Sequence, residues 1–129
     1  MNVKQAKEIA RQWVLTEASN IPGFYGAFYH GSVNWLADDA ILPATSDLDI
    51  MVVFEKPPSV KLGKFIYDGV MLEVSYMARG DLQSPEEILA THHLAGSFHT
   101  PSVIADPTGQ LTQLQQVVTR DYAKRMWVG

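Results

Sequence analysis

The chain has 129 residues, enough for one domain with one sizeable core. Hydrophobic residues make up 47% and charged residues 19%, and the formal net charge of −4 offers no basic footprint for a long nucleic acid. Cysteine is absent, which excludes disulfides, thiolate zinc sites and cysteine nucleophiles and fits a cytoplasmic protein, while no apolar run is long enough to span a membrane.

Residues 3–18 predict an amphipathic helix. Val3, Ala6, Ala10, Trp13 and Val14 form one stripe, and Lys4, Lys7, Glu8 and Arg11 lie off it. Asn20, Pro22 and Gly23 end it. Phe24 to His30 is aromatic and bounded by glycines, which predicts a strand. Gly31 and Ser32 then mark a sharp turn. Val33 to Ala40 reads as the start of a short helix, with Ser32 as its N-cap and Leu36 and Ala37 facing inward. Pro43 stops whatever precedes it.

Leu48 to Phe54 predicts a second strand. Leu48, Ile50, Val52 and Phe54 point to one side, and Asp47, Asp49, Met51 and Val53 to the other. Both faces are apolar beyond the acids, as expected of a central, covered strand. Residues 63–67 and 70–77 predict a hairpin across Asp68-Gly69, a type I′ turn signal. In its second arm Leu72, Val74 and Tyr76 share one face, and Met71, Glu73 and Ser75 the other. A lone glutamate in such a strand lies either at an exposed edge or in a site.

Ser84-Pro85-Glu86-Glu87 is a helix start with a capping box. Ser102 to Ala105 predicts a short strand, and Asp106-Pro107-Thr108-Gly109 a turn. Leu111, Leu114, Val118 and Tyr122 stripe a last helix over 110–128. Trp127 and Val128 beside the end of the chain need a surface to pack on, so a second domain is expected to follow. The order of elements predicts an α+β fold: a mixed sheet of about four or five strands with helices packed on it.

Three features bear on chemistry. A glycine at position 31 lets a phosphate approach the backbone, and N–H groups at a following helix start favour an anion; a plain turn is the alternative. Asp47 and Asp49, two apart on a strand, project to one side. Their mutual repulsion is relieved by a cation, or by water at a loop edge. Glu73 joins them if its strand lies beside the second. Together these are the parts of a two-metal nucleotide site.

His92 and His93 are adjacent, so they diverge on a helix and do not chelate like an i, i+4 pair. His30 touches phosphate or simply packs. Arg120, Lys124 and Arg125 reach a triphosphate or merely answer the helix dipole. Trp35 stacks on a base or is buried, and His99 has no evident partner.

Gly31-Ser32, Ser46-Asp47-Leu48-Asp49-Ile50 and Leu72-Glu73-Val74 resemble the signature of the polymerase-beta-like nucleotidyltransferase superfamily. The likeness extends over about residues 20–127 toward kanamycin nucleotidyltransferase and related antibiotic-modifying enzymes, including the run Ser102 to Leu111. One departure is the connection over 33–46, longer than is common in that family.

The resemblance implies a nucleotidyltransferase catalytic domain over 1–129, cut before a C-terminal helical domain. It implies transfer of a nucleoside monophosphate from an NTP, such as ATP, to a hydroxyl of a small acceptor, an aminoglycoside among the candidates. It assigns Gly31, Ser32 and Ser46 to phosphate and Asp47, Asp49 and Glu73 to two Mg2+ ions, or Mn2+ in their place. A homodimer sharing its cleft goes with it. The competing expectation is a catalytically weak nucleotide-binding or partner-binding module of the same fold, of toxin–antitoxin or regulatory type.

Overall fold

A computed structural model describes residues 1–42, 46–58, 63–82 and 102–128, without the side chains of Ser32, Trp35, Leu82 and 121–128. The predicted helix at Ser84-Pro85-Glu86-Glu87, and His92, His93 and His99, lie outside the described residues, as do the side chains of Tyr122, Lys124 and Arg125.

Helix α1 runs Val3–Thr16. Asn2 caps it: its Oδ1 accepts from the Gln5 amide at 2.8 Å, and Gln5 Oε1 accepts from the Asn2 amide at 3.0 Å. Val3, Ala6, Ala10, Trp13 and Val14 are buried, the stripe read from the sequence.

Among the described residues five strands follow: β1 Phe24–His30, β2 Leu48–Phe54, β3 Gly63–Tyr67, β4 Val70–Ala78 and β5 Val103–Ala105. They form one mixed sheet in the order β3-β4-β2-β1-β5. The β1–β2, β1–β5 and β3–β4 pairs are antiparallel, and β2–β4 is parallel. The fold is therefore α+β, as the order of elements predicts. Asp68 and Gly69 both have positive φ, 49° and 82°, as a type I′ turn requires. Helix α2 spans Gln110–Val128. Asp106 caps it, accepting from the Leu111 amide at 3.2 Å and the Thr112 amide at 2.8 Å.

Each face of the sheet packs against a helix. Leu48, Ile50, Val52 and Phe54 join Leu72, Val74 and the buried stripe of α1 in one core cluster. Trp13 of α1 meets Phe65 of β3 with ring centroids 5.3 Å apart. Tyr25, Phe28 and Val53 pack on the opposite face with Leu111 and Val118 of α2. Among the described residues, no helix is long and apolar enough to cross a membrane.

The helix expected after Ser32 is corrected. Gly31–Trp35 is a 3-10 turn, and the chain is extended at Leu36. Val33 is the buried residue, while Leu36 is 41% exposed and Ala37 is also exposed. The following segment serves another helix instead. The Val3 and Lys4 amides of α1 donate to the Ala40 and Asp38 carbonyls at 2.9 and 3.0 Å. Helix N-termini leave such donors orphaned, and the turn at 37–40, closed by the Ala40 amide on the Ala37 carbonyl at 3.1 Å, presents carbonyls that satisfy them.

Gly26 sits at the β1 bulge, where a Cβ would lie 2.8 Å from the Ala105 carbonyl oxygen and against Leu111 Cδ1. The backbone of β5 and the first turn of α2 occupy that space. Gly26→Ala is expected to destabilise the domain by about 1–3 kcal/mol. A urea titration should show a lower midpoint at unchanged m.

Candidate functional site

The β2–β4 register places Leu48 opposite Leu72, Asp49 opposite Glu73 and Ile50 opposite Val74. Directly opposed residues share a face. The β1–β2 and β3–β4 registers add His30 opposite Asp49 and Lys64 opposite Glu73. A row of four polar residues, Lys64, Glu73, Asp49 and His30, thus crosses four adjacent strands. Asp47 lies two residues before Asp49 on the same face. This is the α2 face of the sheet, at the end where β2 begins.

Apolar packing brings the row together. Leu48, Ile50, Leu72 and Val74 are buried on the α1 side, so their alternating neighbours must point the other way. Asp47, Asp49 and Glu73 are half-buried there.

Gly31 closes the row at its β1 end. Its φ is +76°, and a Cβ would stand 2.9 Å from Asp49 Oδ2. Both facts demand glycine: the left-handed backbone and the carboxylate against it. Ser32 lies within the 3-10 turn, but its side chain is outside the described residues. Ser46 is half-buried immediately before the acids. A single 3-10 turn replaces the helix N-terminus expected to favour phosphate, so no sustained helix dipole points there.

Asp49 is the perturbed group. Burial first, then a hydrogen bond with the Glu73 carboxyl and its charge, then the charge of Asp47, push its pKa up to about 6; Lys64 opposes them. Among the described residues, Asp49 Oδ1 is buried without a hydrogen-bond partner. Asp47 is engaged differently: its Oδ2 lies 2.7 Å from Lys64 Nζ. That contact, with the charges of Glu73 and Asp49, raises the lysine pKa and keeps the ammonium protonated.

Among the described residues, no three His, Asp or Glu side chains are gathered closely enough to enclose a metal ion. Two of the acids face each other and the third faces a lysine. The donor set nonetheless fits magnesium, which takes hard carboxylate oxygens. An orphaned buried oxygen beside a second carboxyl is a feature that a cation satisfies.

A cavity of about 660 Å³ lies at the opposite end of the sheet, lined by Tyr25, Glu55, Arg79, Gln110 and Leu111 among others. Arg79, Glu55, Gln110 and Tyr25 in its wall are engaged with one another. Arg79 donates to Glu55 at 2.8 Å and to Gln110 at 3.3 Å, and its guanidinium stacks 4.9 Å from the Tyr25 ring. None of the three acids lines it, so it is not the candidate site.

The Asp49 penalty has a definite pH dependence. Its folded pKa lies above the unfolded value of 3.8, so the folded state holds the extra proton between about pH 4 and 6. The penalty is absent below that window and complete above it. Asp49→Asn should therefore gain stability relative to the parent as pH rises from 4 to 7. Paired thermal melts across that range check it; a constant difference in Tm sinks the assignment.

No protein-family model matches the sequence, and a search of curated proteins finds no match. The chemistry of the site rests on its own residues.

Proposed function

We propose that the domain is a magnesium-dependent nucleotidyltransferase of the polymerase-beta-like kind. It moves a nucleoside monophosphate from an NTP to a hydroxyl of a small acceptor. The acceptor oxygen bonds to the α-phosphorus, the bond from that phosphorus to the β-phosphate oxygen breaks, and pyrophosphate leaves. The hydroxyl proton passes to a base or to solvent.

One observation carries this reading: parallel register sets Asp49 of the Asp-x-Asp pair directly beside Glu73, with the Gly31 backbone against the same carboxylate. Asp47, Asp49 and Glu73 are the residues to hold the metal. Bound magnesium would neutralise phosphate charge and acidify the acceptor hydroxyl. Gly31 brings the 31–35 turn against Asp49, and Gly31, Ser32 and Ser46 are the residues assigned to phosphate in this reading. The acidic chain, at net −4, favours a cationic acceptor such as an aminoglycoside over a nucleic acid. A cytoplasmic site of action and a homodimer belong to the same reading.

A second reading has its own support. The Lys64–Asp47 pair keeps the third acid occupied, as suits a catalytically weak nucleotide-binding or partner-binding module. Turnover separates the two.

With magnesium, ATP at a hundredfold excess over its Kd should stabilise the domain by about 2.7 kcal/mol, and without magnesium by far less. Asp47→Asn combined with Asp49→Asn should remove the metal-dependent shift in Tm; its persistence rules out the metal assignment. Release of pyrophosphate from ATP, assayed over a panel of aminoglycosides, should occur with the parent and not with the double variant. Binding without turnover favours the module.

A further inference from the structure

We propose that Lys64 is a built-in counter-ion of the acid cluster, which a divalent cation must displace from Asp47 before all three carboxylates can turn to it. This rests on the metal-binding reading above and adds a positioning residue to it.

Lys64 is not an incidental surface charge. It is in register with Glu73, which is in register with Asp49, so its position on β3 is fixed relative to both. From there the side chain reaches past β4 to Asp47 and closes to 2.7 Å. One ammonium thereby faces three carboxylates. Its effect on geometry is selective. Asp49 and Glu73 remain against each other, while Asp47 is drawn toward the lysine. Asp49 Oδ1 is left buried without a hydrogen-bond partner among the described residues. Lys64 answers charge in the cluster without satisfying that oxygen.

Exposure makes the ammonium displaceable. The Lys64 side chain is 58% exposed and that of Asp47 only 23%. The lysine can swing into water without uncovering the core, whereas Asp47 stays by the cluster. Exposed ion pairs of this kind hold weakly. A lysine is a point charge on a flexible stem; an arginine would grip the carboxylate with a planar fork and be harder to displace. The residue type thus suits a counter-ion that yields.

The test uses the full chain at pH 8, with Mn2+ alone as the probe and calorimetric titration as the readout, so that no turnover is needed. Lys64→Met should bind Mn2+ about threefold tighter or more, because it removes the competing pair and a nearby positive charge. Lys64→Arg should bind no tighter than the parent. In an Asp47→Asn background the gain from Lys64→Met should shrink, since the pair is already gone. Circular dichroism checks folding, and Lys64→Gln replaces Lys64→Met if the latter misfolds.

A parent that binds Mn2+ with Lys64→Met equal or weaker overturns the counter-ion and leaves the metal site standing. A gain that persists in full without Asp47 also overturns it. Absence of Mn2+ binding in both parent and Lys64→Met overturns the metal site, and the counter-ion with it.

Discussion

The parallel pairing of β2 with β4, in register from Leu48–Leu72 to Phe54–Ala78, is the constraint on which the rest of the structure depends. It joins the β3–β4 hairpin to the sheet and makes β2 central. It also sets Asp49 beside Glu73. A slip of one residue would carry Glu73 to the α1 face and expose Leu72 and Val74. The core therefore holds the acids in place. Hydrophobic burial on one face fixes the register, and the register fixes the polar row on the other.

Among the described residues, two helices pack on opposite faces of the sheet. Helix α1 packs Val3, Ala6, Ala10, Trp13 and Val14 against the face of Leu48 and Ile50. Helix α2 covers the opposite face near Tyr25, Phe28 and Val53. Gly26 lets β5 and the start of α2 come close there. Asp47, Asp49 and Glu73 lie on this second face toward the other end of β2. One face of one strand thus changes from apolar to acidic along its length.

The acidic end carries a penalty that stability alone would not select. Asp49 is pushed up to about 6 chiefly by burial, and one of its oxygens lacks a partner among the described residues. Perturbed, incompletely satisfied groups concentrate where a protein binds or reacts. Lys64 offsets part of the charge from the edge strand. Removing an acid relieves a like-charge contact, while removing the lysine sharpens it. The structure and the electrostatics thus pull the row in opposite directions.

Much of the fold was legible in local pattern. The stripe of α1, the bounds of β1 and β2, the Asp68-Gly69 hairpin and the extent of α2 follow from periodicity and turn chemistry, because those signals act within a few residues. The facing of Asp49 and of Glu73 was equally legible, since alternation fixes it once a strand is recognised. The 33–40 segment was not. Its conformation answers the orphaned amides of Val3 and Lys4 in α1, far earlier in the chain, and no local pattern registers that demand. The ion pair between Lys64 and Asp47 was also beyond reach, because it requires β4 to lie between their strands. By itself, then, the sequence determined the five strands and two helices of the described residues and the side of the strands on which Asp49 and Glu73 lie. Only the tertiary structure decided which acids meet, which one a lysine holds, and that Gly31 lies against Asp49, because strand pairing joins residues whose separation along the chain carries no local signal.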